Sequence, residues 1–264
     1  MEKKNLPIAV VDSGVGGISV LAELVRALPH EDFLYFGDSS NAPYGTKSRQ
    51  AVLDITRKNL EMLMRRGIKA LVLACNTATS AAARTLREEY PHLPIIGVEP
   101  AVKPAALMCE NPTILVMATA LTLREEKFNA LVDRFADRAR VLPLPCTGLV
   151  EMIEAGVLEG EVLDGYLGAL FAPYKTETID AVVLGCTHYP HVRRAIATHF
   201  PAGTPILDGG EGTARQTRKR LAELSLLREG GGGGTVEFLN SSKDRSLLTL
   251  SRRLLDRALG KELG

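Results

Sequence analysis

Two apolar runs, IKALVLAC at 68–75 and IDAVVLGC at 179–186, end in Cys75 and Cys186, 111 positions apart. The same shift lays Pro94-Ile95-Ile96 over Pro205-Ile206-Leu207, so at least one strand, the helix after it and the next strand are duplicated. That period is far too long for a solenoid, and it implies two related halves. In α/β proteins, side chains at the carboxyl ends of buried strands face the ligand crevice. The duplication therefore predicts a mirror-symmetric site in which two thiols meet across one substrate.

The rest of the chain reads as α/β. Short runs rich in Val, Ile and Leu, without alternation, predict strands near 7–12, 32–37, 68–74, 94–98, 113–118, 139–143, 179–184, 204–207 and 235–239. Such runs mark parallel sheets covered on both faces. Between them, Ile18, Leu21, Leu24, Val25 and Leu28 fall at helical spacing, as do Val52, Ile55, Leu60 and Leu63. Val236–Leu239 reads as an edge strand, and the last helix is expected to turn Leu247, Leu248, Leu250, Leu254 and Leu255 inward. The five glycines at 230–234 read as a mobile connection that fixes nothing. With 264 residues, the chain suits two lobes better than one, since domains commonly run ~100–150 residues.

Charge and cysteine content narrow the function. A net charge of +1 without a basic stripe leaves no footprint for nucleic acid or an anionic membrane. The apolar runs fall well short of the roughly 20 residues that span a bilayer. Four cysteines in so long a chain make no disulfide framework, and no secretory signal precedes Ile8, so the expected compartment is the cytoplasm. Small molecules, or another copy of the chain, are the expected partners.

The chemistry-bearing residues cluster at predicted strand ends. Asp12-Ser13-Gly14-Val15-Gly16-Gly17 leads from the first strand into a helix, where free N–H groups suit a carboxylate or phosphate. Asp38 ends the second strand where a dinucleotide fold would hold a ribose, but Ser19 replaces the third glycine and the cysteine pair is left unexplained. Asn76-Thr77 follows Cys75 and Thr187-His188 follows Cys186, each expected to open a helix, a setting that favours a thiolate. The competing reading makes both cysteines small buried hydrophobes, but duplication and polar followers weigh against it. His188 and His191 near Cys186 hint at a metal, yet no C-x-x-C pair supports one. Cys109 and Cys146 read as core. Asp12, Asp38 and Glu151 are the carboxylates placed to orient His188 or poise a thiol, with helix capping the alternative for each.

With these residues in hand, the chain resembles the glutamate racemases of the cofactor-independent aspartate/glutamate racemase superfamily. The resemblance covers nearly the whole chain and rests on DSGVGG at 12–17, GDSSNAPYG at 37–45, ACNTAT at 74–79, VEP at 98–100 and GCTHYP at 185–190. It implies two similar lobes of mainly parallel sheets flanked by helices, related by a pseudo-twofold axis, with the active site in the cleft between them. Residues 1–97 with 208–264 would form one lobe and 98–207 the other.

The implied activity is racemisation of glutamate, without metal, pyridoxal phosphate or other cofactor, supplying D-glutamate for peptidoglycan. Cys75 would take the α-proton from D-glutamate and Cys186 from L-glutamate. Asp12, and His188 with Glu151, would set which thiol is ionised. Substrate would be held by Asp12, Ser13, Tyr44, Gly45, Asn76, Thr77, Thr187 and His188, with Thr119 in addition. A homodimer is implied as well. The chain departs from the family pattern at Ala118-Thr119, near Glu125 and at Asp208-Gly209, departures that bear on the outer wall of the second lobe and not on the two cysteines. The rival readings are an aspartate racemase or other superfamily member, a cysteine hydrolase using Cys186 and His188, and a binding module that has lost the reaction.

Overall fold

The computed structural model describes residues 2–124, 126–230 and 232–261, so Glu125 and Gly231 lie outside the described residues. The chain forms two compact units, Met1–Glu99 with Gly210–Gly264, and Pro100–Gly209.

The first unit runs β1 (Ile8–Asp12), α1 (Ile18–Ala27), β2 (Phe33–Gly37), α2 (Arg49–Arg65), β3 (Ala70–Leu73), α3 (Asn76–Glu89) and β4 (Ile95–Gly97). The second contains α4 (Val102–Ala106), β5 (Thr113–Ala118), α5 (Ala120–Arg124), α6 (Glu126–Asp133), β6 (Arg140–Pro145), α7 (Leu149–Glu154), α8 (Glu161–Phe171), β7 (Ala181–Leu184), α9 (Arg193–Ala197) and β8 (Ile206–Asp208). The chain then returns to the first unit as α10 (Gly210–Glu223), β9 (Val236–Asn240) and α11 (Ser246–Leu259).

Each unit is built on one parallel sheet, ordered β4-β3-β1-β2-β9 in the first and β6-β5-β7-β8 in the second. Read from the other edge, the second order is β8-β7-β5-β6, the order of the first without β9. The 111-residue shift carries β3 onto β7 and β4 onto β8 residue for residue. It preserves their register too, with Leu71 opposite Ile95 and Val182 opposite Ile206. Duplication thus extends to four strands, two more than the sequence identity reveals.

Central and edge strands differ as burial on two faces requires. Every residue of β1, β3 and β7 is buried, whereas β9 is half-buried and β6 is exposed at Arg140, Pro143 and Pro145. Those two prolines make β6 longer than its apolar run suggests. A proline removes a ladder donor, which only an edge strand tolerates.

The helices that carry site residues have local causes. In α2, Ser48 Oγ accepts from Ala51 N at 3.2 Å, and Val52, Thr56, Leu60 and Leu63 form its buried stripe. Each of the two leucines contributes ~1.5–3 kcal/mol through burial. In α3, the small residues Ala78, Ala81, Ala82 and Ala83 are buried and favour helix intrinsically. The helix stops at Glu89 because Tyr90 precedes Pro91 and is pushed out of helical geometry. On α11, Leu254 and Leu255 are buried while Leu247, Leu248 and Leu250 are only half-buried, so the inward stripe centres on the helix's second half.

The glycine run does more than connect. A Cβ at Gly234 would lie 1.9 Å from the Glu31 carbonyl oxygen, and Gly234 N donates to Pro29 O at 2.8 Å. Only glycine lets this segment pass so close to the loop before β2.

Candidate active site

At the carboxyl ends of its strands each unit carries its own group of candidate functional side chains. In the first, Asp12 closes β1 fully buried, and its Oδ2 accepts from Gly14 N at 3.0 Å. A Cβ at Gly17 would stand 2.6 Å from Asp12 Cβ, so glycine is required for α1 to start against this carboxylate. Ser13, next along the chain, is buried.

Cys75 follows β3 and caps α3, its Sγ accepting from Ala78 N at 3.5 Å. A sulfur at the start of a helix, facing a backbone N–H, is where a thiolate is favoured. Asn76 and Thr77 begin the helix and are buried. The Asn76 side-chain oxygen is buried without a hydrogen-bond partner, an acceptor suited to a donor from a ligand. Tyr44 and Gly45 stand in a turn after β2, the tyrosine buried in one apolar cluster with Cys75, Val52, Ala78 and Ala81.

Asp38 is committed locally. Its carboxylate accepts from Tyr44 Oη at 2.6 Å, from Asn59 Nδ2 at 3.0 Å, and from Asn41 Nδ2 at 3.0 and 3.1 Å. Burial, first, and the adjoining Asp38 carboxylate hold the Tyr44 phenol far above its ordinary range, with the charges of Cys75 and Asp12 adding to the effect.

In the second unit, Cys186 follows β7 and its Sγ lies 3.7 Å from His188 Nδ1. His188 Nε2 lies 2.8 Å from Glu154 Oε1. Cys186, Thr187 and His188 are all buried. The carboxylate on the imidazole is thus Glu154, at the end of α7. Glu151 is exposed in the first turn of that helix, its charge felt by Tyr166. The sequence points to Glu151 here, and the structure places Glu154 on His188 instead. Leu149 and Ile153 are the buried residues of α7 and define its inner face. At 3.6 residues per turn both carboxylates fall off that face, Glu151 about 180° and Glu154 about 120° from its centre, so periodicity does not choose between them.

The segment after Cys186 also differs from its counterpart. A 3-10 turn, Tyr189–Val192, precedes α9, where Cys75 opens directly onto an α-helix. Pro190 supplies no N–H, and the turn closes through Tyr189 N to Cys186 O and His191 N to His188 O. Thr119, half-buried after β5, caps α5 through Thr122 N at 3.3 Å. Cys146 is buried in one cluster with Cys186, and burial, ahead of the neighbouring Cys186 charge, pushes its thiol up to about 12. Cys109 is exposed.

Two buried thiols at register-equivalent strand ends, one beside an imidazole bonded to a carboxylate, define an α/β enzyme whose acid–base groups include sulfur. The profile of the Asp/Glu/Hydantoin racemase family matches residues 8–217, and the chain belongs to that family. The glutamate racemase of Clostridium acetobutylicum is 49% identical over 256 residues, covering 97% of this chain and 100% of the relative. Among solved structures, Escherichia coli glutamate racemase with L-glutamate and the activator UDP-MurNAc-ala matches with a TM-score of 0.83 and 29% identity, over 94% of this chain and 95% of that one. The Francisella tularensis enzyme with D-glutamate gives 0.82 and 28%, over 96% and 94%. Among the described residues, no helix is long and apolar enough to cross a membrane.

Proposed function

We propose that this protein interconverts L- and D-glutamate by two-base proton transfer at the α-carbon, with Cys75 and Cys186 as the two bases. The observation that carries the reading is the equivalent placement of these thiols, each just beyond the middle strand of a duplicated β-β-β triad. A reaction between mirror images calls for like groups on opposite faces of the carbon. Relatives and solved structures that carry the name glutamate racemase, two of the latter with glutamate bound, support the choice of substrate.

From L-glutamate, the Cys186 thiolate takes the α-proton and becomes a thiol, leaving the electron pair on carbon, delocalised into the α-carboxylate. The Cys75 thiol returns a proton to the opposite face and becomes a thiolate. The reverse direction exchanges the roles. Because the α-hydrogen is a very weak acid, groups fixed beforehand must stabilise the carbanion. Asp12 serves the Cys75 side, and His188, oriented by Glu154, the Cys186 side. The unpartnered Asn76 oxygen suits the substrate ammonium. Ser13, Tyr44, Gly45, Thr77, Thr119 and Thr187 supply hydroxyls and backbone N–H groups for the carboxylates. The D-glutamate formed serves peptidoglycan synthesis in the cytoplasm, and the enzyme acts as a homodimer.

The test is incubation with L-glutamate in D2O, free of pyridoxal phosphate and treated with chelator, following α-deuteration by NMR and optical activity by circular dichroism. Deuteration with decay of the optical signal is expected, and Cys75→Ala or Cys186→Ala abolishes racemisation. No exchange from either enantiomer would overturn the reading. Faster turnover of L-aspartate would reassign the substrate, and a trapped acyl-enzyme on Cys186 would point to a hydrolase.

A further inference from the structure

We propose that Asn59 is a positioning residue of this site, closing a triangle of hydrogen bonds with Asp38 and Tyr44 that holds the Tyr44 ring against Cys75. The inference deepens the racemase reading and rests on it.

The buried stripe of α2 runs through Val52, Thr56, Leu60 and Leu63, and helical spacing places residue 59 on the same side, where an apolar residue would be expected. An amide stands there instead, half-buried. Its Nδ2 donates to Asp38 Oδ2 at 3.0 Å and to Tyr44 Oη at 3.2 Å, while Tyr44 Oη donates to the same Asp38 oxygen at 2.6 Å. Asp38 and Tyr44 are each only 1% exposed. A buried carboxylate needs every donor within reach, and a buried phenol that donates to it still has a lone pair to satisfy. Asn59 meets both needs with one group.

Geometry places this triangle at the site rather than in the general core. It joins the end of β2, the turn that carries Tyr44 and Gly45, and the body of α2. The tyrosine it fixes packs in the cluster that contains Cys75. Without Asn59, the phenol keeps its bond to Asp38 but loses its second partner, and the Tyr44–Gly45 turn loses this tie to α2. Asn59 does not touch the reacting atoms. It acts through Tyr44 on substrate grip, which both enantiomers share.

The experiment measures steady-state racemisation in both directions for the full-length wild type, Asn59→Ala, Asn59→Gln, Tyr44→Phe and the Ala/Phe double variant, with thermal melting of each. Because Asn59 acts on substrate only through Tyr44, just part of the worth of a bond to a charged group reaches binding, and Asn59→Ala should raise KM about fivefold to tenfold for both enantiomers. The turnover number should stay within about twofold, the pattern of lost uniform binding. Asn59→Gln keeps the donor and should recover at least half of the loss. The double variant should be no worse than the poorer single one, since both act through one contact. Unchanged KM in Asn59→Ala, multiplying losses in the double variant, or losses in proportion to a lowered Tm would overturn the role. Should Asn59→Ala fail to fold, Asn59→Gln against Tyr44→Phe decides it, because equal losses in those two would leave the donor without effect. An inactive wild type overturns the racemase reading and this inference together, whereas an active wild type with an indifferent Asn59 overturns the inference alone.

Discussion

Replacing Glu154 by Gln should slow racemisation in a direction-dependent way, and the size of the effect follows from the His188 contact. Glu154 Oε1 lies 2.8 Å from His188 Nε2, and its side chain is 21% exposed. Hydrogen bonds to charged groups are worth about 1.5–3 kcal/mol net, and partial exposure argues for the lower half of that range. At 1.4 kcal/mol per factor of ten, kcat/KM should fall about tenfold to thirtyfold. Enantiomers have equal free energies, so the equilibrium constant is one and kcat/KM must fall equally in both directions. The asymmetry therefore belongs to kcat. If Cys186 is the base toward L-glutamate, kcat for L-to-D falls more than kcat for D-to-L, and the ratio of KM for L-glutamate to KM for D-glutamate falls by the same factor as the ratio of the two kcat values. Circular dichroism progress curves from each pure enantiomer give all four constants. Glu151→Gln is the control, and its exposed carboxylate should matter less than twofold. A larger loss in Glu151→Gln than in Glu154→Gln, or identical changes of kcat in both directions for Glu154→Gln, would refute this reasoning.

Two further expectations concern groups outside the reacting set. With its thiol pushed up to about 12, Cys146 carries only about one thiolate in ten thousand at pH 8. Iodoacetamide should therefore label exposed Cys109 first, and equal labelling of Cys146 in the native protein, read by peptide mass spectrometry, would contradict its burial. Lys69 and Glu31 form a buried ion pair, 0% and 2% exposed, and Glu31 Oε1 also accepts from Arg228 N at 2.9 Å. Lys69→Met strands the carboxylate and should cost ~3–5 kcal/mol, lowering Tm by on the order of 10 °C. Lys69→Met with Glu31→Gln should regain more than half of that loss, because no buried charge remains. A Tm unchanged in Lys69→Met would show that the pair contributes nothing.

Much of the architecture was legible from local pattern. All nine strands among the described residues fall where the sequence predicts them, because a strand covered on both faces needs a continuous apolar run, and the runs ending at Leu73 and Leu184 supply it without help from distant residues. Edge strands were less distinct. β6 continues through Pro143 and Pro145, a sequence that only an unpaired side permits, and position in a sheet is not a local property. The duplication was visible only where β3-β4 and β7-β8 kept similar side chains. Its extension to β1-β2 and β5-β6 lies in strand order, which many apolar sequences satisfy equally.

For the site, the sequence by itself determined which residues stand at strand ends, since a residue that follows an apolar run of set length can be nowhere else. Cys75, Asn76, Cys186, His188 and Asp12 were located in this way. Partnership was decided by tertiary structure alone. Glu151 and Glu154 are three residues apart in the same short helix and point about 60° apart around it, and packing of that helix through Leu149 and Ile153 leaves Glu154 against the imidazole and Glu151 exposed. Asp38, equally free in sequence to serve a ribose, a thiol or a histidine, is claimed by Tyr44, Asn41 and Asn59. Hydrogen bonds act over about 3 Å, and chain separation says nothing at that scale until packing has brought the groups together.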